Sequence, residues 1–297
     1  MKKTNVNKGK YGYAFIAPYF IIFSIFGAFP SLYTFYLSLT NWNGIGKAKI
    51  IGFKNFATVF HDKFFFQSIG NTVLMWVISV VPQMICALVI AVVLVQSKIK
   101  AKSFFRAIFY LPNLVTCSSV AVLFSFIMDW QAGALNKMLL GMHIINSPIN
   151  WFQSTIATPI TVGFINWWMW FGYTMIIFMA GIQAISNDVI EAAIVDGANG
   201  IQTLWYITLP LIRPTVIYNV ITSLIGGMTM FDIPFVLTNG DGSPQGSILT
   251  MVMYLYNTAF RNYHYGYAAA IGTELFIMIG IMVFIAYKIM NRKPVYD

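Results

Sequence analysis

Charge is scarce in this 297-residue chain: 9% of its residues are Asp, Glu, Lys or Arg, 58% are hydrophobic, and the mean hydropathy is +0.72. That leaves too little polar surface to coat a soluble globule, so lipid must solvate much of the molecule. Cysteine is scarcer still. Cys86 and Cys117 both lie inside apolar runs, which excludes a disulfide framework and a C-x-x-C metal or redox pair. Histidine occurs at His61, His143 and His264, each between apolar runs and without a nearby ligand set, which argues against a metal site or a membrane enzyme. A phosphate cradle of the G-x-x-x-x-G-K-[ST] type is also missing, because Gly9-Lys10 and Gly46-Lys47 are followed by Tyr11 and Ala48. Energy for any work done by this chain must therefore come from a partner or from an ion gradient.

Long apolar runs are what the chain has. They fall at 13–39, 69–95, 107–128, 157–185, 214–237 and 266–289, each near the length of roughly 20 residues that crosses a bilayer as a helix. The spacing predicts an all-α polytopic membrane protein with about six spanning helices. Pro18, Pro30, Pro82 and Pro112 lie within these runs and are read as kinks, which spanning helices tolerate when neighbours satisfy the freed carbonyls. Lysines at Lys2, Lys3, Lys8 and Lys10 ahead of the first run imitate a secretory leader, but the run is too long and no A-x-A site follows.

The basic excess, 18 Lys and Arg against nine Asp and Glu, is topological. With the amino terminus in the cytoplasm, twelve basic residues fall inside (Lys2, Lys3, Lys8, Lys10, Lys98, Lys100, Lys102, Arg106, Arg213, Lys288, Arg292, Lys293) and six outside. Both termini are thus expected in the cytoplasm, as short tails over 1–12 and 291–297 around a membrane domain over 13–290. Nucleic acid is not implied; contact with lipid headgroups is. The external loop near 129–156 carries Trp130, Gly133 and Trp151, and its apolar patch Met138–Ile145 predicts a short interfacial helix.

The cytoplasmic segment 186–213 differs from every other loop. Asn187 or Asp188 can cap a helix, with Asp188 and Glu191 at capping-box spacing, and Gly197 or Gly200 can end it. A second run, Ile201 to Ile207, is expected to stop before Pro210. Two short helices meeting at a glycine turn result. Glu191-Ala192-Ala193, Asp196-Gly197-Ala198, Gln202, Ile207, Leu209-Pro210 and Pro214 together resemble the EAA signature of permease subunits in binding-protein-dependent ABC importers. Over nearly the whole chain the sequence is similar to the carbohydrate branch of that family, the maltose and multiple-sugar type. The strings are Gly52-Phe53-Lys54-Asn55-Phe56, Phe104-Phe105-Arg106, Leu111-Pro112, Phe231-Asp232-Ile233-Pro234, Leu237-Thr238 and Gly266-Tyr267-Ala268. The external run Asn239-Gly240-Asp241-Gly242-Ser243-Pro244 departs from the tighter Gly-Gly-Pro of the family.

The resemblance implies a MetI-like permease fold in a bacterial cell membrane, with the first helix outside a core formed by the later five. It implies a cytoplasmic hairpin docked in a cleft on an ATPase, so that Glu191, Ala192, Ala193, Asp196, Gly197, Ala198, Gln202, Leu209 and Pro210 form the coupling element. The expected partners are a second homologous permease, two cytoplasmic ATPases that hold ATP and Mg, and an extracellular or periplasmic solute-binding protein. No cofactor is expected on this chain. The rival is an ion-coupled secondary transporter, which would show matched halves and intramembrane ionisable relays.

Sugars stack their apolar faces on aromatic rings and exchange hydrogen bonds through their hydroxyls. Asn166, Trp170 and Tyr173 recur at i, i+4 and i+7 of the fourth run, on one helical face that either lines a solute path or anchors at the interface. Asp232, beside Phe231 in the fifth run, is an intramembrane carboxylate and a candidate for the same path. Glu274 in the sixth is read as a bridge through Thr273 or a partner subunit, and Gly226 and Gly227 as helix-packing positions.

Overall fold

The computed structural model describes residues 8–96 and 101–291. Lys2, Lys3, Lys98, Lys100, Arg292 and Lys293, which enter the charge asymmetry, lie outside the described residues, as does most of the tail over 291–297. In chain order the helices are α1 (Lys8–Phe23), α2 (Phe29–Ser38), α3 (Lys54–Val59), α4 (Lys63–Gln96), α5 (Lys102–Tyr110), α6 (Cys117–Ile127), α7 (Ala134–Gly141) and α8 (Ala157–Gln183). There follow α9 (Asn187–Val195), α10 (Gly200–Thr203), α11 (Leu209–Leu211), α12 (Arg213–Met228), α13 (Asp232–Thr238), α14 (Met251–Tyr256) and α15 (Tyr265–Met290). Among the described residues, five segments are long and apolar enough to cross a membrane: Gly12–Ser38, Lys63–Gln96, Ala157–Gln183, Arg213–Thr238 and Tyr265–Met290. The pair Lys102–Leu114 and Cys117–Ile127, bent by 95°, makes a sixth. Helix begins at Lys8, inside the tail expected over 1–12.

Two runs expected as single helices are broken. Within 107–128, Pro112 marks an end and not a kink. The chain tightens to a 3₁₀ turn over Leu111–Leu114, turns extended at Val115, and restarts where Thr116 Oγ1 accepts from the Ser119 N–H at 3.3 Å. Proline removes a donor and obstructs the preceding turn, and the new N-cap fixes the direction of α6. Within 214–237 the helix stops at Met228, and α13 starts at Asp232, whose carboxylate sits in the first turn where the helix dipole favours it.

The chain divides into two compact units, Met1–Asp62 with Leu255–Phe276 and Lys63–Tyr254 with Ile277–Asp297. In the first, a π turn over Ser24–Ala28 joins α1 to α2. Buried Asn55 donates through Nδ2 to the Ser38 and Thr40 carbonyls, both at 2.8 Å, which fixes the exit of α2. Gly266 approaches so closely that a Cβ there would lie 2.1 Å from the Thr40 oxygen, and the Tyr267 hydroxyl donates to the Asp62 carboxylate at 2.6 Å. Strings noted for family resemblance, around Asn55 and Gly266-Tyr267, thus have local structural work.

In the second unit α4 packs along α8. One apolar cluster gathers Met75, Val162, Ile165, Met169, Met230 and Ile233, and another Ala87, Ala91, Met175, Phe178 and Ile182. Lipid tails are as apolar as these side chains, so close packing rather than dehydration holds the helices together. Glycines permit it: a Cβ on Gly163 would lie 2.5 Å from Ile78, and one on Gly227 2.1 Å from the Trp76 ring.

The loop over 129–156 is built on one buried amide. Asn136 Nδ2 donates to the Trp130 carbonyl at 3.2 Å and the Ile149 carbonyl at 2.9 Å, while its Oδ1 accepts from the Ile149 N–H at 3.3 Å and Trp151 Nε1 at 3.1 Å. The short helix expected at Met138–Ile145 forms earlier, as Ala134–Gly141, and ends before His143, whose φ is +54°. Asn136→Ala should cost about 2–3 kcal/mol, since it orphans several buried groups at once. A detergent thermal melt followed by tryptophan fluorescence checks this; an unchanged midpoint would show that the loop holds without the amide.

Candidate functional site

A cavity of about 210 Å³ lies among α4, α8 and α12. From α8, Asn166, Trp170, Tyr173 and Thr174 face it, so the predicted i, i+4, i+7 face is brought together as one wall. From α12 come Asn219, Thr222, Ser223 and Gly226, again at helical spacing, and α4 adds Gln83. Gln83, Asn219, Thr222 and Ser223 are not singled out by the sequence reading and Gly226 is read there as a packing position, although Asn219, Thr222, Ser223 and Gly226 repeat at i, i+3, i+4 and i+7. Gly226 is correspondingly not a packing position: a Cβ there would meet nothing within 4 Å, whereas Gly227 is packed against Trp76.

The polar lining is held from behind. Ser79 donates its hydroxyl to the Trp76 carbonyl at 2.9 Å, and its Oγ accepts from Asn166 Nδ2 at 3.1 Å. Asn219 Nδ2 donates to the Thr215 carbonyl at 3.1 Å. Trp76 Nε1 donates to Ser223 Oγ at 3.1 Å, and Gln83 and Thr174 are joined at 2.7 Å. The Trp170 and Tyr173 rings meet edge to face at 6.1 Å.

Phe231 and Asp232 do not border this cavity. Phe231 occupies the break between α12 and α13, with its ring 4.7 Å from that of Phe235, and Asp232 is exposed in the first turn of α13. Thr273 donates its hydroxyl within its own helix, to the Ala269 carbonyl at 2.8 Å, so it does not form the bridge expected with Glu274.

The segment after α8 is a helical hairpin. Its cap is Ser186, not Asn187 or Asp188: Ser186 Oγ accepts from the Asp188 N–H at 3.3 Å. The helix ends at Gly197, φ +84°, in a Schellman turn in which the Ala198 N–H bonds the Ala193 carbonyl at 2.9 Å and the Gly197 N–H bonds that of Ile194 at 3.0 Å. The capping box forms at the second helix instead, where Asn199 and Gln202 exchange side-chain to backbone bonds at 2.8 and 2.9 Å. That helix does not stop before Pro210. A π turn over Leu204–Thr208 widens the backbone ahead of the proline, and helix continues through Leu209–Leu211.

Of the predicted coupling residues, Glu191, Ala192, Asp196, Gly197, Gln202 and Pro210 are exposed, Ala198 and Leu209 are half-buried, and Ala193 is buried within the chain. Val195, Ile201, Trp205 and Tyr206 add a large exposed apolar surface on the same hairpin that sequence reading did not single out. At its end, Arg213 donates through Nε, at 2.7 Å, and through Nη2 to the Met290 carbonyl, a cation at the carboxyl end of α15.

Residues 73–295 match the family described as the binding-protein-dependent transport system inner membrane component. The chain is 31% identical over 284 residues to the lactose transport system permease protein of Rhizobium radiobacter, covering 95% of each. It is 30% identical over 286 residues to the multiple sugar-binding transport system permease protein of Streptococcus mutans, covering 96% of this chain and 97% of that one. Its fold matches a bacterial alginate ABC transporter crystallised with an alginate pentasaccharide-bound periplasmic protein, with a TM-score of 0.82, 24% identity and coverage of 97% and 96%. The hairpin, the spanning helices and a match over three quarters of its length agree: this chain belongs to the family of inner membrane components of binding-protein-dependent transport systems.

Proposed function

We propose that this chain is the sugar-conducting permease subunit of an ATP-driven importer. The observation that carries the sugar reading is the cavity, where two aromatic rings stand beside amides and hydroxyls already oriented by the helices behind them. Ring faces suit the C–H surface of a pyranose, and amides and hydroxyls suit its hydroxyl groups. Relatives named for lactose, multiple sugars and arabinooligosaccharides support the same class.

The exposed hairpin is the docking element for a cytoplasmic ATPase, which holds the ATP and Mg. A second homologous permease completes the path, a solute-binding protein delivers the cargo, and both termini are cytoplasmic. Closure of the ATPases moves α8 and α12, which flank the hairpin in sequence, and the cavity opens alternately to the two sides. Phe231 and Asp232 belong to the wall of the path beyond the cavity.

A mild-detergent pull-down from the native membrane should recover an ATPase and a second permease with this chain. Trp170→Ala should cut sugar uptake at least tenfold and leave that attachment intact. A lone chain that transports by itself would overturn the subunit reading, and full uptake by the Trp170 variant would remove the cavity from the path.

A further inference from the structure

We infer that the cavity admits an uncharged saccharide and that this chain, apart from any binding protein, excludes uronic, sulfated and phosphorylated ones. The inference deepens the proposed sugar-permease function and rests on it. Among the described residues, no Asp, Glu, Lys, Arg or His side chain borders the cavity. Its polar lining residues are all neutral, and the hydrogen bonds behind the wall commit several of their groups.

Ser79 has its hydroxyl proton on the Trp76 carbonyl, so its Oγ can only accept, and the Asn166 group that meets it must be the NH₂. Asn219 meets a carbonyl, at Thr215, which again commits its NH₂. Each amide therefore keeps its carbonyl oxygen, and one N–H of its NH₂, outside these bonds. Thr222 donates its hydroxyl to the Tyr218 carbonyl at 2.9 Å and presents lone pairs. Ser223 Oγ accepts from Trp76 Nε1 and Thr174 Oγ1 from Gln83 Nε2, so both keep a hydroxyl proton to donate.

Sugar hydroxyls both donate and accept, so several on one ring satisfy the amide oxygens and the hydroxyl donors together. A carboxylate or sulfate only accepts; it would leave the amide oxygens unpaired, and with no cation in the wall the neutral donors would not repay its lost hydration. The alginate transporter with the same fold imports an acidic polysaccharide, so the fold does not set this preference; the lining does.

The test uses the assembled transporter as it co-purifies, with Thr222→Cys introduced in a background carrying Cys86→Ser and Cys117→Ser. Labelling rates with a neutral, a cationic and an anionic methanethiosulfonate are each divided by the rate of the same reagent with free cysteine. The anionic reagent should lag the neutral one at least tenfold, and equal ratios would overturn the inference. In parallel, uptake is measured for lactose, maltose and melibiose against methyl glucuronide. Uronate uptake equal to that of the neutral sugars also overturns it. Uptake of none of the neutral sugars would instead overturn the sugar-permease function, and the labelling ratio would still judge the charge preference of the cavity.

Discussion

Gly172→Ala should destabilise the folded chain more than any other single-methyl change in the α8 wall. A Cβ at this position would stand 1.9 Å from the Phe109 carbonyl oxygen, 2.5 Å from its carbon and 3.0 Å from the Tyr110 nitrogen. The obstacle is backbone, which has no rotamer to change, so α5 must move off α8. That movement would pull apart the edge-to-face contact of Phe109 with Phe171, whose ring centroids are 5.7 Å apart. Overpacking typically costs about 1–3 kcal/mol, and an obstacle made of backbone places this change at the upper end. The control is Gly226→Ala, where a Cβ meets nothing within 4 Å, and the change should be nearly silent. Thermal size-exclusion profiles of the two variants in detergent decide it; equal profiles would mean that the crossing of α5 and α8 is looser than described.

Gly197→Val should abolish uptake while the protein remains in the membrane, and Gly197→Asn should restore much of it. The φ of +84° belongs to the left-handed region, which a β-branched residue reaches only at a cost of roughly 1–2 kcal/mol and which asparagine tolerates. Nothing lies within 4 Å of a Cβ there, so within this chain the effect is conformational and not steric. Losing the Schellman turn would re-aim α10 and with it the exposed Ile201, Trp205 and Tyr206. Glu191→Lys, a change on the exposed face with no cap to break, should separately cut uptake more than tenfold through the proposed ATPase contact alone. Co-purification of the ATPase reads both effects. Attachment and uptake unchanged in Glu191→Lys would place the docking face elsewhere on the hairpin.

The number of spans and the hairpin were legible in the sequence because each depends on local rules: apolar length for the first, a left-handed glycine and polar caps for the second. The wall residues Asn166, Trp170 and Tyr173 were legible for the same reason, as a period along one helix. What escaped depends on distance in sequence. Gln83 and Asn219 join that wall only because α4 and α12 pack beside α8, and no pattern near Gln83 announces it. Pro112 read as a kink because the difference between a kink and an end rests on whether neighbouring groups satisfy the freed carbonyls. Asp232 looked like a carboxylate inside a long apolar helix; the break at Thr229–Phe231 puts it in the first turn of a new one. Ala193 was offered to a partner surface, yet it is 5% exposed and serves the chain's own packing.

The widened turns at Ser24–Ala28 and Leu204–Thr208 share a feature: after one intervening residue, each is followed by a proline, Pro30 or Pro210. Each π turn holds one residue more than an α-helix would, as the Leu209 N–H bonded to the Leu204 carbonyl records. Since one residue turns a helix by about 100°, that extra residue is a phase shift. Deleting a single position within 204–208 would leave composition, charge and apolar length almost untouched, yet would swing everything before it about a quarter turn around the axis. Trp205 and Tyr206 would then look in a new direction relative to α12. The hairpin's aim is thus stored in the count of residues as much as in their kinds, so insertions and deletions here should act as severely as substitutions at its most exposed side chains.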